Sequence, residues 1–97
     1  MKADILAFGA HPDDIELAAS GTVAAHVAGG KKVVLVDLTT GELGTRGNAD
    51  LRKQEAAAAA KVLGVAHRTI LDLGDGFFEI NETSLKKIIE QVRLYQP

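Results

Sequence analysis

The sequence contains no cysteine. Disulfide cross-links and thiolate metal sites are therefore excluded, and any bound metal ion would have to be held by His, Asp or Glu. It also lacks an apolar run near the roughly 20 residues that span a bilayer. An aspartate, Asp4, interrupts the short apolar stretch behind the N-terminus, so that stretch does not read as a signal peptide. A basic stripe is missing as well. Eleven Lys and Arg face 13 Asp and Glu for a net charge of −2, with both signs mixed along the chain, and nothing would collect counterions from a nucleic acid. Apart from the alanine run at 56–60, which is plain helix material, there is no low-complexity segment and no internal repeat. The composition thus predicts a cytoplasmic protein that works on neither membranes nor nucleic acids. Its 97 residues suffice for one domain, and 46% hydrophobic and 25% charged residues are ordinary for a globular one. A chain of this length buries only roughly 60–65% of its unfolded surface, so the core will be modest.

What is present alternates between two periods. Residues 3–8 read as a short buried strand stopped by Gly9. From Ile15 to Ala28, positions Ile15, Ala18, Ala19, Thr22, Val23 and His26 recur at helical spacing, and Gly29-Gly30 closes that helix. Residues 33–38 form the strongest strand, nearly all apolar, as in a sheet covered on both faces. A polar, glycine-rich stretch from Thr39 to Asn48 leads to a helix from about Asp50 to Leu63 that Gly64 ends. Residues 68–73 are a third strand, and Asn81 caps a last helix, Glu82 to Tyr95. The order β-α-β-α-β-α predicts an α/β fold with a doubly wound, Rossmann-like parallel sheet of three βα units and right-handed crossovers. In a sheet ordered 3-2-1-4, a fourth strand would lie beside strand 1. A lone central strand is rarely left as an open edge, so the chain is expected to be a single domain that forms the N-terminal part of a larger one, and self-association is expected.

Ligands of open α/β sheets bind beyond the carboxyl ends of the strands, where two unusual loops emerge. The first is Gly9-Ala10-His11-Pro12-Asp13-Asp14-Ile15-Glu16. A dinucleotide-binding protein would carry three glycines here; instead His11 and Asp14 stand at the second and third positions, and adjacent carboxylates would repel a pyrophosphate. Asp37, at the end of strand 2, could imitate a ribose-binding acid but lacks the glycines to go with it. A cation suits the loop better, because an imidazole nitrogen and a carboxylate oxygen are both normal zinc ligands. Asp13, between them, would point towards the open coordination position, and a carboxylate beside an activated water can take its proton. The bland alternative is a helix start with an aspartate as N-cap. In the second loop, Gly41, Gly44 and Gly47 permit tight turns. Arg46 and Arg52 could fork to a substrate carboxylate or sugar hydroxyls, or could be solvated surface charges. His26 and His67 read as structural, the latter lying at the amino end of its strand.

The segment Ala10 to Glu16 resembles the Ala-His-Pro-Asp-Asp-x-Glu signature of the LmbE/PIG-L deacetylases. Thr40 to Gly47 resembles that family's second motif, followed by Arg52-x-x-Glu55, and Asp75-Gly76 is also similar to the family pattern. Within the family the chain looks most like the bacillithiol-pathway enzymes, which remove acetate from N-acetylglucosaminyl-malate. The resemblance implies zinc as cofactor, His11 and Asp14 as metal ligands, Asp13 as general base, and Arg52, with Arg46, as substrate contacts. It further implies a homo-oligomer acting on a small N-acetylglucosaminyl substrate. The family's third ligand is a histidine in a His-Pro-Asp-His-like segment after a fourth strand, and these 97 residues contain no such segment. A module that binds a nucleotide or sugar without chemistry is the other reading of the same residues.

Overall fold

The computed structural model describes residues 1–41, 49–74 and 79–97. Six elements follow one another: β1 (Ile5–Gly9), α1 (Asp14–Ala28), β2 (Val33–Asp37), α2 (Ala49–Leu63), β3 (His67–Ile70) and α3 (Glu82–Tyr95). The three strands form one parallel sheet in the order β1-β2-β3, the α/β arrangement that the sequence predicts.

The sheet is covered on both faces because β2 is apolar on both. Val33 and Leu35 join Ile15 and Val23 of α1 in one cluster, with Leu63 at the end of α2 packed against it. Val34 and Val36 point the other way and meet Ala3 and Tyr95, the last residue of α3. All four β2 side chains are fully buried, which the period-2 alternation of a strand between two helical layers requires. Local signals set the helix ends. Gly30, at φ +84°, turns the chain after α1 and Gly64, at φ +76°, after α2. At α3 the Asn81 side chain accepts from Ser84 N–H (3.0 Å) while Ser84 Oγ accepts from Asn81 N–H (3.1 Å), a reciprocal capping box.

Two elements depart from the sequence reading. In α1, Ile15 and Val23 of the apolar positions at helical spacing are buried, but Ala18 and Thr22 are exposed. The cause is a break at Ala19 (φ −142°, ψ 15°) that joins two helical pieces across a kink and shifts their phase. The third strand ends at Ile70 instead of residue 73, because β2, its partner in the sheet, itself ends at Asp37. Leu71 and Leu73 still donate to the carbonyls of Asp37 (2.7 Å) and Leu38 (3.2 Å), outside the regular ladder. Among the described residues, no helix is long and apolar enough to cross a membrane.

Because β2 carries both clusters, Leu35→Ala should lower the unfolding free energy by about 2–5 kcal/mol. The same truncation at Leu17, which is 82% exposed, should stay within about 0.5 kcal/mol. Urea denaturation of the two variants measures the contrast.

Candidate functional site

The parallel register places Gly9 of β1 opposite Asp37 of β2, so both strands release their loops at the same height. Backbone bonds continue past the strand ends: Leu38 N–H donates to Gly9 O (2.8 Å) and Thr39 N–H to Ala10 O (3.1 Å). The buried Thr39 adds its hydroxyl, which donates to the same Ala10 carbonyl at 2.8 Å and accepts from Gly41 N–H at 3.3 Å. The first loop is thereby pinned one residue before His11.

From there the chain folds back on itself. Asp14 N–H donates to His11 O (3.2 Å), and His11 N–H donates to Asp14 Oδ2 (3.0 Å). The result brings His11 Nδ1 to 3.3 Å from the same carboxylate oxygen, with both side chains a little over two-fifths exposed. That spacing is the edge of a tetrahedron whose centre lies about 2.0–2.1 Å from each donor atom, the ordinary bond length to zinc. The pair therefore fits two adjacent positions on one ion. Among the described residues no group of three His, Asp or Glu side chains converges, so the pair by itself is an incomplete ligand set. Asp14 and Ile15 also border a hollow of about 370 Å³ between β1 and α1.

Asp13 does not behave as an ordinary helix cap. It sits at the N-cap of α1 with φ 141° and ψ −15°, and its side chain makes no capping hydrogen bond. A non-glycine residue held there stores of order 1–3 kcal/mol, a strain that recurs at functional sites. Asp13 is exposed, and the side-chain bond that closes the turn is made by Asp14 instead.

Arg52, in the first turns of α2, lies against both loops. A Cβ added at Gly41 would come within 3.2 Å of Arg52 Cδ and 3.4 Å of Pro12 Cδ, and Gly41 has φ +71°. The glycine is required twice, by its backbone and by this close approach. Below the loops lies a cluster of buried charge. Arg68 Nε donates to Asp37 Oδ2 (2.7 Å) and Nη2 to Asp37 Oδ1 (2.9 Å), a bidentate fork. The same Nη2 donates to Glu16 Oε1 (2.9 Å), and Nη1 donates to Ala56 O of α2 (3.4 Å). The Asp37 side chain is fully buried and that of Arg68 4% exposed. Burial pushes the Asp37 carboxyl up, with the hydrogen bond and charge of Arg68 pulling against it. Burial acts to lower the Arg68 pKa, but Asp37 and Glu16 outweigh it, and the guanidinium is held above its ordinary value.

Residues 6–97 match the family model of the GlcNAc-PI de-N-acetylases, PIG-L. The chain belongs to this family. The deacetylase YaiS of Escherichia coli K12, itself described as uncharacterized, is 47% identical over 69 residues, 71% of this chain and 36% of that protein. The N,N'-diacetylchitobiose deacetylase of Pyrococcus horikoshii superposes with a TM-score of 0.89 at 27% identity, over 96% of this chain and 38% of that one. A second solved structure is not a deacetylase. GalB, the 4-carboxy-2-hydroxymuconate hydratase of Pseudomonas putida KT2440, superposes at a TM-score of 0.84 with 30% identity, over all of this chain and 45% of its own. The chain thus spans less than half the length of each of these relatives.

Within this PIG-L chain, the structure pairs His11 with Asp14, leaves Asp13 exposed beside them, and sets Arg52 against Gly41, which also lies near Pro12. Arg46 lies outside the described residues, as do most of the second glycine-rich motif and Asp75-Gly76. The ribose-acid role considered for Asp37 is excluded, since Arg68 occupies both of its oxygens. His26 is exposed on α1, and the ring of His67 tilts against Tyr95 at 6.2 Å, so both are structural. Sequence reasoning missed Thr39 and the Arg68 cluster. The available signal was charge at Asp37 and Arg68 in strands covered by helices, where charge needs a partner.

Two stability predictions follow from this geometry. Asp37→Ala, which leaves the buried guanidinium short of its main partner, should cost about 3–5 kcal/mol in urea denaturation. Asp13→Gly should instead raise the thermal midpoint by several degrees, since relief of about 1 kcal/mol corresponds to about 4–8 °C in a domain of this size. A lowered midpoint for Asp13→Gly would show that position 13 is unstrained.

Proposed function

We propose that the chain forms the N-terminal part of a zinc-dependent N-deacetylase domain that removes acetyl groups from N-acetylglucosamine conjugates, with N-acetylglucosaminyl-malate as the specific candidate. The observation that carries the reading is the pairing of His11 Nδ1 with Asp14 Oδ2 at 3.3 Å, at the carboxyl end of β1. His11 and Asp14 would hold the metal together with a histidine from outside these 97 residues. Zinc, when bound, polarises an amide carbonyl and lowers the pKa of water to about 7.

The chain's own residues would do the rest. Asp13, adjacent to the ligands and not itself pinned by the turn, takes the proton of the attacking water. Arg52, held against Gly41 and Pro12, places a cation beside the site for a substrate carboxylate or hydroxyl, and Arg46 is a second candidate for that role. The half-exposed Leu85, Ile89 and Val92 of α3 support a homo-oligomer. Cytoplasmic residence and a place in bacillithiol synthesis belong to the same reading.

A second reading rests on the likeness to the GalB hydratase. The same carboxylate and cation could direct water to a carbon–carbon double bond. Acetate release from an N-acetylglucosaminide separates the two, because a hydratase yields none. A module without chemistry would in addition purify free of zinc.

In the full-length protein, Asp14→Ala should abolish zinc retention, measured by elemental analysis. Asp13→Asn should keep zinc and lower kcat for acetate release by about 10²–10⁴-fold. Near-normal kcat in Asp13→Asn would remove it as the base.

A further inference from the structure

We propose that Arg68 is a positioning residue for the His11–Asp14 pair, acting through Glu16. The need for such a residue comes from the break in α1. With Ala19 out of helical geometry, Asp14 to Ala18 form little more than one helical turn, and a piece that short does not hold itself. It must be anchored sideways. Two anchors exist. Ile15 is 5% exposed and packs so closely on β1 that a Cβ at Gly9 would lie 3.0 Å from its Cγ1. Glu16 is bound by Arg68 Nη2 at 2.9 Å.

Arg68 can serve as the fixed point because the rest of the fold holds it first. Its Nε and Nη2 fork onto Asp37 of β2, and Nη1 reaches Ala56 O of α2, all from a side chain 4% exposed. A guanidinium bound on several sides is a rigid template. Glu16 lies two residues beyond Asp14 and one beyond Ile15, so its clamp sets the rotation of the first turn of α1. That rotation decides whether the Asp14 carboxylate faces His11. Asp37 meanwhile lies opposite Gly9, where the loop begins. One guanidinium therefore spans both ends of the loop and reaches the helix that carries Arg52. It touches neither candidate ligand, so its effect would pass through the backbone.

The part of this inference that concerns metal rests on the deacetylase reading; the ordering of the loop does not. Glu16→Ala is the informative variant, since it removes the acceptor of one anchor and leaves the Asp37–Arg68 fork in place. Amide hydrogen exchange on the metal-free chain should show His11 N–H, which donates to Asp14 Oδ2, exchanging at least about tenfold faster, with the amides of β2 unchanged. Zinc affinity, read by competition with a chromophoric chelator, should fall by about 10–100-fold, as for loss of other groups that orient metal ligands. Arg68→Lys, which keeps the charge but not the fork, should move both readings in the same direction. Glu82→Gln, which breaks the exposed Glu82–Lys86 pair on α3, should move neither. Unchanged His11 exchange in Glu16→Ala, or acceleration shared equally by β2, would overturn the proposal. If the parent chain neither bound zinc nor released acetate, the deacetylase reading would fall, and the exchange comparison alone would decide the coupling.

Discussion

A fully buried carboxylate at the end of an otherwise apolar strand governs this structure. Asp37 has no access to water, and an uncompensated charge there would be prohibitive. Its bidentate bond to Arg68 is therefore an obligation of the fold. Such a pair need not add net stability, because desolvating two charges offsets most of their attraction. What it imposes is geometry. Arrangements of β2 and β3 that separate the fork leave a buried charge unpaired, so the pair disfavours alternatives more than it favours the native state. The guanidinium has donors left over after Asp37 is satisfied. Glu16 of α1 and Ala56 O of α2 take them, and one requirement of β2 becomes a joint between two strands and two helices.

Above this joint the two loops are built in series. Gly9 and Asp37 leave the sheet side by side, and the Thr39 hydroxyl ties Ala10 to the start of the second loop. Gly41 then makes room for Arg52 against Pro12. The contacts draw on residues far apart in the chain, yet all of these residues except Arg52 lie within a few positions of the strand ends. The chemistry is thus placed by the sheet, and only its details by the loops. A shared scaffold can accordingly serve different reactions, as the likeness to both a deacetylase and a hydratase illustrates.

The features legible in the sequence were those with local causes. Gly30 and Gly64 end helices because of their own backbone freedom, and Asn81 with Ser84 forms a cap over four residues. β2 was legible because four successive apolar residues, Val33 to Val36, suited burial on both faces. The errors have two causes. The α1 register failed at Ala19, directly before Ser20-Gly21, a Gly/Ser pair of the kind that kinks helices and that apolar periodicity alone does not register. Arg68 was invisible as a joint because its side-chain partners lie 31 and 52 residues away. The His11–Asp14 pair was legible as a motif, but its 3.3 Å spacing was not, since it comes from the way the turn closes through Asp14 N–H to His11 O and His11 N–H to Asp14 Oδ2.

The strain at Asp13 fits this division of labour. Adjacent carboxylates would ordinarily compete for the same helix N-terminus, where both N–H groups and the dipole attract them. Here Asp14 is committed to the turn, accepting from His11 N–H and lying beside the imidazole. Asp13 is kept out of it by an unusual φ and forms no cap. A carboxylate free of the helix end and next to the His11–Asp14 pair has the surroundings that the proposed role of proton acceptor would need. Backbone strain is the means by which one short loop gives two neighbouring, chemically identical side chains different surroundings. The stability that a glycine would recover at position 13 is then a measure of what the fold spends to keep those two carboxylates apart.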